Sequence, residues 1–190
     1  MSRRQTGSGT RPGGMKVLGG RWRGRRLNVP AGVRPTQARV REALLSHWGD
    51  RVAGSRLLEL YAGSGAVSFE ALSRGAGFAL AIDRSSGAQA CMKASRETLG
   101  TGGLRLVRAV LPLGLEDAVT GEDGFDLVFI DPPYEESGLG ELLGAVSAAV
   151  VDGGEIVLEH SSRNAPPAVA GRFTLRRTRT YGDSALTFYA

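Results

Sequence analysis

Leu57-Leu58-Glu59-Leu60-Tyr61-Ala62-Gly63-Ser64-Gly65 runs from a short apolar strand into a glycine-rich turn and on toward a helix. Glycine at such a turn lets the backbone pass close to a ligand held at the helix N-terminus. Glu59 sits inside the apolar strand, near its end, where a carboxylate without a partner is costly. The next apolar run, residues 78–82, ends at Asp83, 20 residues after Gly63. In a nucleoside-binding βαβ unit that is the place of the acid that holds a ribose.

Outward from this turn the pattern repeats. Apolar runs at 56–60, 78–82, 104–108, 126–130 and 154–158 predict strands, and helical spacing predicts helices at 66–74, 86–99, 112–118 and 138–150. The alternation predicts an α/β fold with a doubly wound, mostly parallel sheet. Two further runs, 172–180 and 184–189, flank Tyr181-Gly182-Asp183 and predict a terminal antiparallel hairpin, making seven strands in all. Upstream, Thr36 is the expected N-cap of a helix to about Trp48, with Val40, Leu44 and Trp48 on one face. Residues 15–30 read as a short hairpin or extended arm turning at Gly19-Gly20, and residues 1–14, rich in Gly, Ser and Arg, as a disordered tail. The division expected is therefore a tail (1–14), a basic extension (15–55) and a ligand-binding domain (56–190).

The glycine turn is a poor nicotinamide site, because the third glycine of Gly-x-Gly-x-x-Gly falls at Ser68. No Gly-Lys-Ser/Thr follows, so a phosphate-gripping loop is also disfavoured. An acid ending the first strand repels a pyrophosphate and suits an ammonium. S-adenosylmethionine has an amino group, a ribose and no phosphate, so the electrostatics favour it over NAD or ATP.

Asp131-Pro132-Pro133-Tyr134 follows the apolar run Leu127-Val128-Phe129-Ile130, where ligands bind in an open α/β sheet. Proline has no N–H, so Pro132 and Pro133 present carbonyl acceptors on a stiff backbone. Asp131 adds a carboxylate and Tyr134 a flat ring for stacking. Acceptors beside a stacking platform suit a planar amine such as guanine N2 or adenine N6. Accepting the amine's hydrogens at Asp131 and the Pro132 carbonyl turns its lone pair toward a methyl donor, and Asp131 or a water receives the departing proton. This chemistry needs no metal.

Charge is uneven along the 190 residues. Residues 1–56 carry a net charge of +11 and residues 57–190 one of −6. A basic front on an acidic body predicts a polyanion-binding arm. Arg21, Trp22, Arg23, Arg25 and Arg26 are its expected RNA contacts, with Trp22 stacking on a base, and Arg39 joins them from the helix; Arg41 stays open between RNA contact and solvated face. His47 and His160 lack a partner motif and receive no catalytic role. Cys91 is the single cysteine, which excludes an intramolecular disulfide and suits a reducing, cytoplasmic setting. No apolar run reaches the roughly 20 residues of a membrane helix.

Several segments resemble the bacterial 16S ribosomal RNA guanine-N2 methyltransferase family: residues 17–27, Arg34-Pro35-Thr36, residues 39–44, residues 62–66, residues 69–76 and Asp131-Pro132-Pro133-Tyr134. The resemblance implies a Rossmann-like, S-adenosylmethionine-dependent enzyme that methylates one guanine N2 of 16S rRNA in the assembled small ribosomal subunit. It assigns Glu59, Ala62, Gly63 and Gly65 to the methionine end of the cofactor, Asp83 to its ribose and residues 131–134 to the target base. Adenine is then left to main-chain groups near Ala109 and apolar packing. The chain is expected to act as a monomer. The rival readings are an adenine-N6 or glutamine-N5 methyltransferase and a non-catalytic RNA-binding assembly factor.

Overall fold

A computed structural model describes residues 15–32, 36–133 and 138–190, so the expected tail and Tyr134 lie outside the described residues. The chain opens with β1 (Met15–Lys16) and β2 (Arg26–Leu27), paired antiparallel, and then α1 (Ala38–Trp48). Next come β3 (Arg56–Leu60), α2 (Ala66–Ser73), β4 (Phe78–Ile82), α3 (Ser86–Leu99), β5 (Leu104–Val107), α4 (Leu115–Val119) and β6 (Phe125–Ile130). The remainder is α5 (Leu139–Ser147), β7 (Val150–Ser161), β8 (Val169–Ala170), β9 (Phe173–Tyr181) and β10 (Ser184–Tyr189).

The main sheet has the order β5-β4-β3-β6-β7-β10-β9-β8. Pairing is parallel from β5 through β7 and antiparallel from β7 onward. Strands β3 and β6 read as apolar runs because both of their faces are covered: Leu57, Leu58, Leu60, Leu127, Val128 and Ile130 are all fully buried. One face packs against α1, α2, α3 and the β1–β2 hairpin, through Trp48, Phe69 and Met92; the other packs against α4 and α5, through Leu115, Leu142 and Val146. The result is a three-layer α/β fold with a closing antiparallel hairpin.

Four expectations change. The sheet has an eighth strand, β8, whose two residues after Pro166-Pro167 are too few to show a period. β7 starts at Val150 rather than 154, and its register to β6 slips from Phe125↔Val150 to Leu127↔Glu155. Gly153, at φ +78°, lies in the slipped segment, so a glycine pair that reads as a break lies within a bulged strand, and α5 ends at Ser147. α4 starts at Leu115, after Pro112 and a Gly114 N-cap. Thr36 does not cap α1: the residue at the N-cap is Gln37, without a side-chain bond, and the Thr36 hydroxyl is used elsewhere.

Candidate active site

The carboxyl ends of four parallel strands lie level. Leu60 pairs with Ile82 on one side and with Ile130 on the other, and Ile82 pairs with Val107. The chain passes β3 to β4 to β5 in one direction and β6 to β7 in the other, so the strand order reverses between β3 and β6. That is the switch point at which open α/β sheets bind ligands. The turn 61–65 leaves β3 there, and Asp131 leaves β6 beside it, its N–H donating to the Leu60 carbonyl at 3.4 Å.

The turn after β3 is fixed from three directions. The Ala62 N–H donates to the Ile82 carbonyl at 3.0 Å, and the Gly63 N–H to Asp83 Oδ2 at 2.8 Å. The other oxygen of Asp83 accepts from the Ser85 N–H at 2.8 Å. Gly63 (φ +53°) and Gly65 (φ +69°) hold left-handed backbone, and a Cβ on Gly65 would stand 2.9 Å from Met92 Sδ. Tyr61 takes φ +57° without being glycine, a conformation that a bulky residue adopts only when its surroundings over-determine it.

Glu59 explains how a carboxylate survives inside β3. It accepts from the Val67 N–H at 3.3 Å, the Ser68 N–H at 2.8 Å and the Ser68 hydroxyl at 2.5 Å. These are free donors of the first turn of α2, so Glu59 caps that helix from within the sheet. Burial still outweighs the hydrogen bonds. It pushes the Glu59 carboxyl up to about 7, with the nearby Asp131 charge adding to the rise.

Asp131 is half-buried, Pro132 buried and Pro133 exposed. Burial pushes the Asp131 carboxyl up to about 6, opposed by the Thr36 hydroxyl, which donates to Oδ2 at 3.2 Å. Thr36 is held in turn by Arg41, whose guanidinium donates to the Thr36 carbonyl at 2.8 Å and the Lys16 carbonyl at 3.2 Å. Arg41 is 3 % exposed and lies 3.9 Å from Glu70, so it is an internal strut and cannot be an RNA contact.

The arm divides as well. Arg21, Arg23, Arg25, Arg26 and Arg39 are exposed. Trp22 is 8 % exposed, packed in the core and covered by Arg21, whose guanidinium lies 4.1 Å above its ring. Its ring therefore has no open face for a base, which corrects the stacking role expected for it. The arm is bolted to the helices by the Trp22 N–H on Ser73 Oγ (2.9 Å), the Leu18 N–H on Glu70 Oε1 (2.7 Å) and the Asn28 N–H on Ser95 Oγ (2.9 Å). These bonds span more than fifty residues and leave no local pattern.

Beside the end of β5 a cleft of about 420 Å³ is lined by Val107, Ala109, Val110, Leu113, Gly114 and Ala118, among others. Val110 and Leu113 are exposed. Gln89, which sequence reasoning passed over, braces this corner by donating to the carbonyls of Asp83 (3.2 Å) and Val107 (2.9 Å). His47 also has a role: it joins Trp48 on buried Glu155, with Nε2 at 2.9 Å and the indole N–H at 2.9 Å, and so fastens α1 to β7. His160 is held by Thr187 at 2.8 Å and lies in the sheet. Among the described residues no helix is long and apolar enough to cross a membrane.

A glycine turn and an acid-Pro-Pro segment on adjacent strand ends, within this topology, define the Rossmann-like methyltransferase class. The chain belongs to the family described as Conserved hypothetical protein 95, whose model matches residues 15–190. It is 34 % identical over 180 residues to a Bacillus subtilis protein named "Putative rRNA methyltransferase YlbH", covering 92 % of this chain and 98 % of that one. It is 32 % identical over 181 residues to the Escherichia coli "Ribosomal RNA small subunit methyltransferase D", covering 93 % and 90 %. The solved Escherichia coli structure titled "Putative methyltransferase yhhF" superposes with a TM-score of 0.81 at 32 % identity, over 93 % of this chain and 97 % of that one. The resemblance read from residues 17–27, 34–36, 39–44, 62–66, 69–76 and 131–134 is borne out.

Proposed function

We propose that this chain transfers a methyl group from S-adenosylmethionine to the exocyclic N2 of a guanine in 16S rRNA, within the assembled small ribosomal subunit in the cytoplasm. One observation carries the reading: the turn 61–65, Asp83 and Asp131 stand on three neighbouring strand ends at the switch point of the sheet. The donor set fits the cofactor. Asp83 stands at the turn and suits a ribose, and an acid there disfavours a pyrophosphate, while Glu59 is turned into the start of α2. Ala62, Gly63 and Gly65 line the methionine end, with Glu59 setting the turn from behind. Asp83 takes the ribose, and the cleft at Ala109, lined by Val107, Val110 and Leu113 together with Arg105, Arg108 and Asp117, receives the adenine.

When bound, S-adenosylmethionine supplies a methyl carbon on a sulfonium, with a neutral thioether as leaving group. The chain's own task is at the amine. Asp131 and the Pro132 carbonyl accept its two hydrogens, so the nitrogen lone pair turns toward the methyl carbon. The N–C bond forms as the C–S bond breaks, and the nitrogen's proton passes to Asp131 or a water. A carboxyl raised to about 6 is ionised at neutral pH yet basic enough to take that proton. Tyr134 stacks on the base. The exposed Arg21, Arg23, Arg25, Arg26 and Arg39 hold phosphates.

The test is incubation of the purified chain with labelled S-adenosylmethionine and small subunits from a strain lacking the protein, followed by nucleoside mass spectrometry. N2-methylguanosine at a single position supports the reading. Label in N6-methyladenosine or in protein, or no label, overturns it. Naked 16S rRNA run in parallel shows whether assembly is required.

A further inference from the structure

β9 carries three arginines, Arg176, Arg177 and Arg179, and ends at Tyr181. Its pairing with β10 slips once: Phe188 faces Arg177, but Tyr189 faces Leu175, so Arg176 is the extra residue of a bulge. Cross-strand partners share a face of a sheet. Arg177 and Arg179 therefore lie on the side of Phe188 and Leu186, which is the α1 side. Contacts agree: Arg177 reaches His47 and lies 4.7 Å over the Phe188 ring, and Arg39 of α1 lies 5.7 Å over the Tyr181 ring.

Most cations of this region are already occupied. Arg172 pairs with Asp152, Arg163 with Asp183 at 3.5 Å, and Arg176 donates to the Ala190 carbonyl at 3.1 Å. Arg177 is half-buried and committed to His47. Arg179 and Arg39 are exposed and, among the described residues, make no ion pair or hydrogen bond, while the Arg39 guanidinium lies over the Tyr181 ring. Tyr181 and Arg179 are two residues apart on one face of β9, so two uncommitted guanidiniums share that face, one of them over an aromatic ring.

Arg179 lies in the same cross-strand row as the acid. Ile130 pairs with Leu158, so Asp131 stands level with Glu159; Glu159 pairs with Leu186, and Leu186 with Arg179. Arg179 is therefore three strand spacings from Asp131, about 14 Å along the row. Arg39 follows Thr36, which donates to Asp131, by one turn of chain. The β1–β2 arm lies on the other side, against α2 and α3, with the Arg25 guanidinium on the Thr98 carbonyl.

We propose that Arg179 extends the phosphate contact of Arg39, which Tyr181 holds, into a phosphate-binding surface apart from the β1–β2 arm that grips the single-stranded RNA flanking the target base, on the side of Asp131 away from the cofactor turn. The inference rests on the rRNA reading above. Its test is equilibrium binding of labelled small subunits from a strain lacking the protein, at several salt concentrations. Arg39→Ala and Arg179→Ala each flatten the log–log salt slope by about 0.7, the value of one single-strand phosphate contact, and the double variant binds about tenfold more weakly. Arg176→Ala, which alters an arginine committed to the chain end, keeps the wild-type slope. Calorimetric titration with S-adenosylmethionine shows the Arg179→Ala fold intact. Wild-type slope in the double variant overturns the surface, as does a wild-type chain with no salt-dependent RNA binding. Failure of the methyl-transfer reading looks different: RNA is bound with these slopes, yet nucleoside analysis finds no N2-methylguanosine.

Discussion

On the β4 side of the cleft, Asp83 takes the N–H groups of Gly63 and Ser85, and Glu59 takes three donors from the start of α2. On the β6 side, Asp131 has one side-chain donor among the described residues, the Thr36 hydroxyl, brought from 95 residues away. The first region is a rigid bed built by neighbours in sequence. The second is an acid whose basicity depends on a segment that folds over it from the N-terminal extension. On the proposed reading, cofactor binding and proton handling rest on distinct hydrogen bonds, and the charge of Asp131 felt at Glu59 is what links them.

The comparison breaks first at Asp131. Asp131→Ala should lower methyl transfer by about 10²- to 10⁴-fold, the range of a lost acid–base group, while calorimetry shows S-adenosylmethionine still bound. Comparable loss of both functions would merge the two regions into one.

Glu59 sharpens the other side. Its carboxyl is raised in the fold, so it favours the folded state fully below about pH 4.5, and that contribution is lost as pH climbs through about 7. A shift of this size is worth about 3 kcal/mol. Glu59→Gln keeps an acceptor for α2 but does not ionise, so its unfolding free energy should stay flatter than wild type between those limits in urea titrations. Parallel curves would show that Glu59 does not titrate in this range.

Asp83→Ala removes the charge-assisted hydrogen bond that holds the Gly63 N–H of the turn, and with it the one to the Ser85 N–H. S-adenosylmethionine affinity should fall about tenfold or more in calorimetry. Unchanged affinity would take Asp83 out of the site.

The smallest expected effect is the most specific. Methyl transfer should rise with pH and level off above about 6, as Asp131 ionises. Thr36→Val removes the bond that opposes the rise in Asp131's pKa, so the midpoint of that profile should move upward, with a few-fold loss of rate at pH 7 and unchanged cofactor affinity. An unmoved midpoint would mean that Thr36 does not tune the acid.

The same division governs what the sequence disclosed. Asp83 and Gly63 are 20 residues apart and Glu59 and Ser68 nine, and both pairs belong to one strand–helix–strand unit. Periodicity places that unit, with β3, β4 and α3 at their predicted bounds. Asp131 was legible because it ends an apolar run. Thr36 was misread as a helix cap because its partner lies across the sheet, and a side chain that far away leaves no spacing to find. Trp22 shows the opposite failure. Among arginines a tryptophan reads as a stacking residue, but Arg21 covers it and its ring completes the core under the arm. The bulge at Arg176, which sets the face that Arg179 takes, likewise depends on pairing with β10 and has no local signal.

The most direct measurement is a crystal structure of the chain with S-adenosylhomocysteine. The account predicts the ligand's amino acid end along Ala62–Gly65, its ribose on Asp83, its adenine at the Ala109 cleft and its sulfur facing Asp131. A ligand lodged away from the β3–β6 switch point, with Asp83 and Asp131 both untouched, would contradict it.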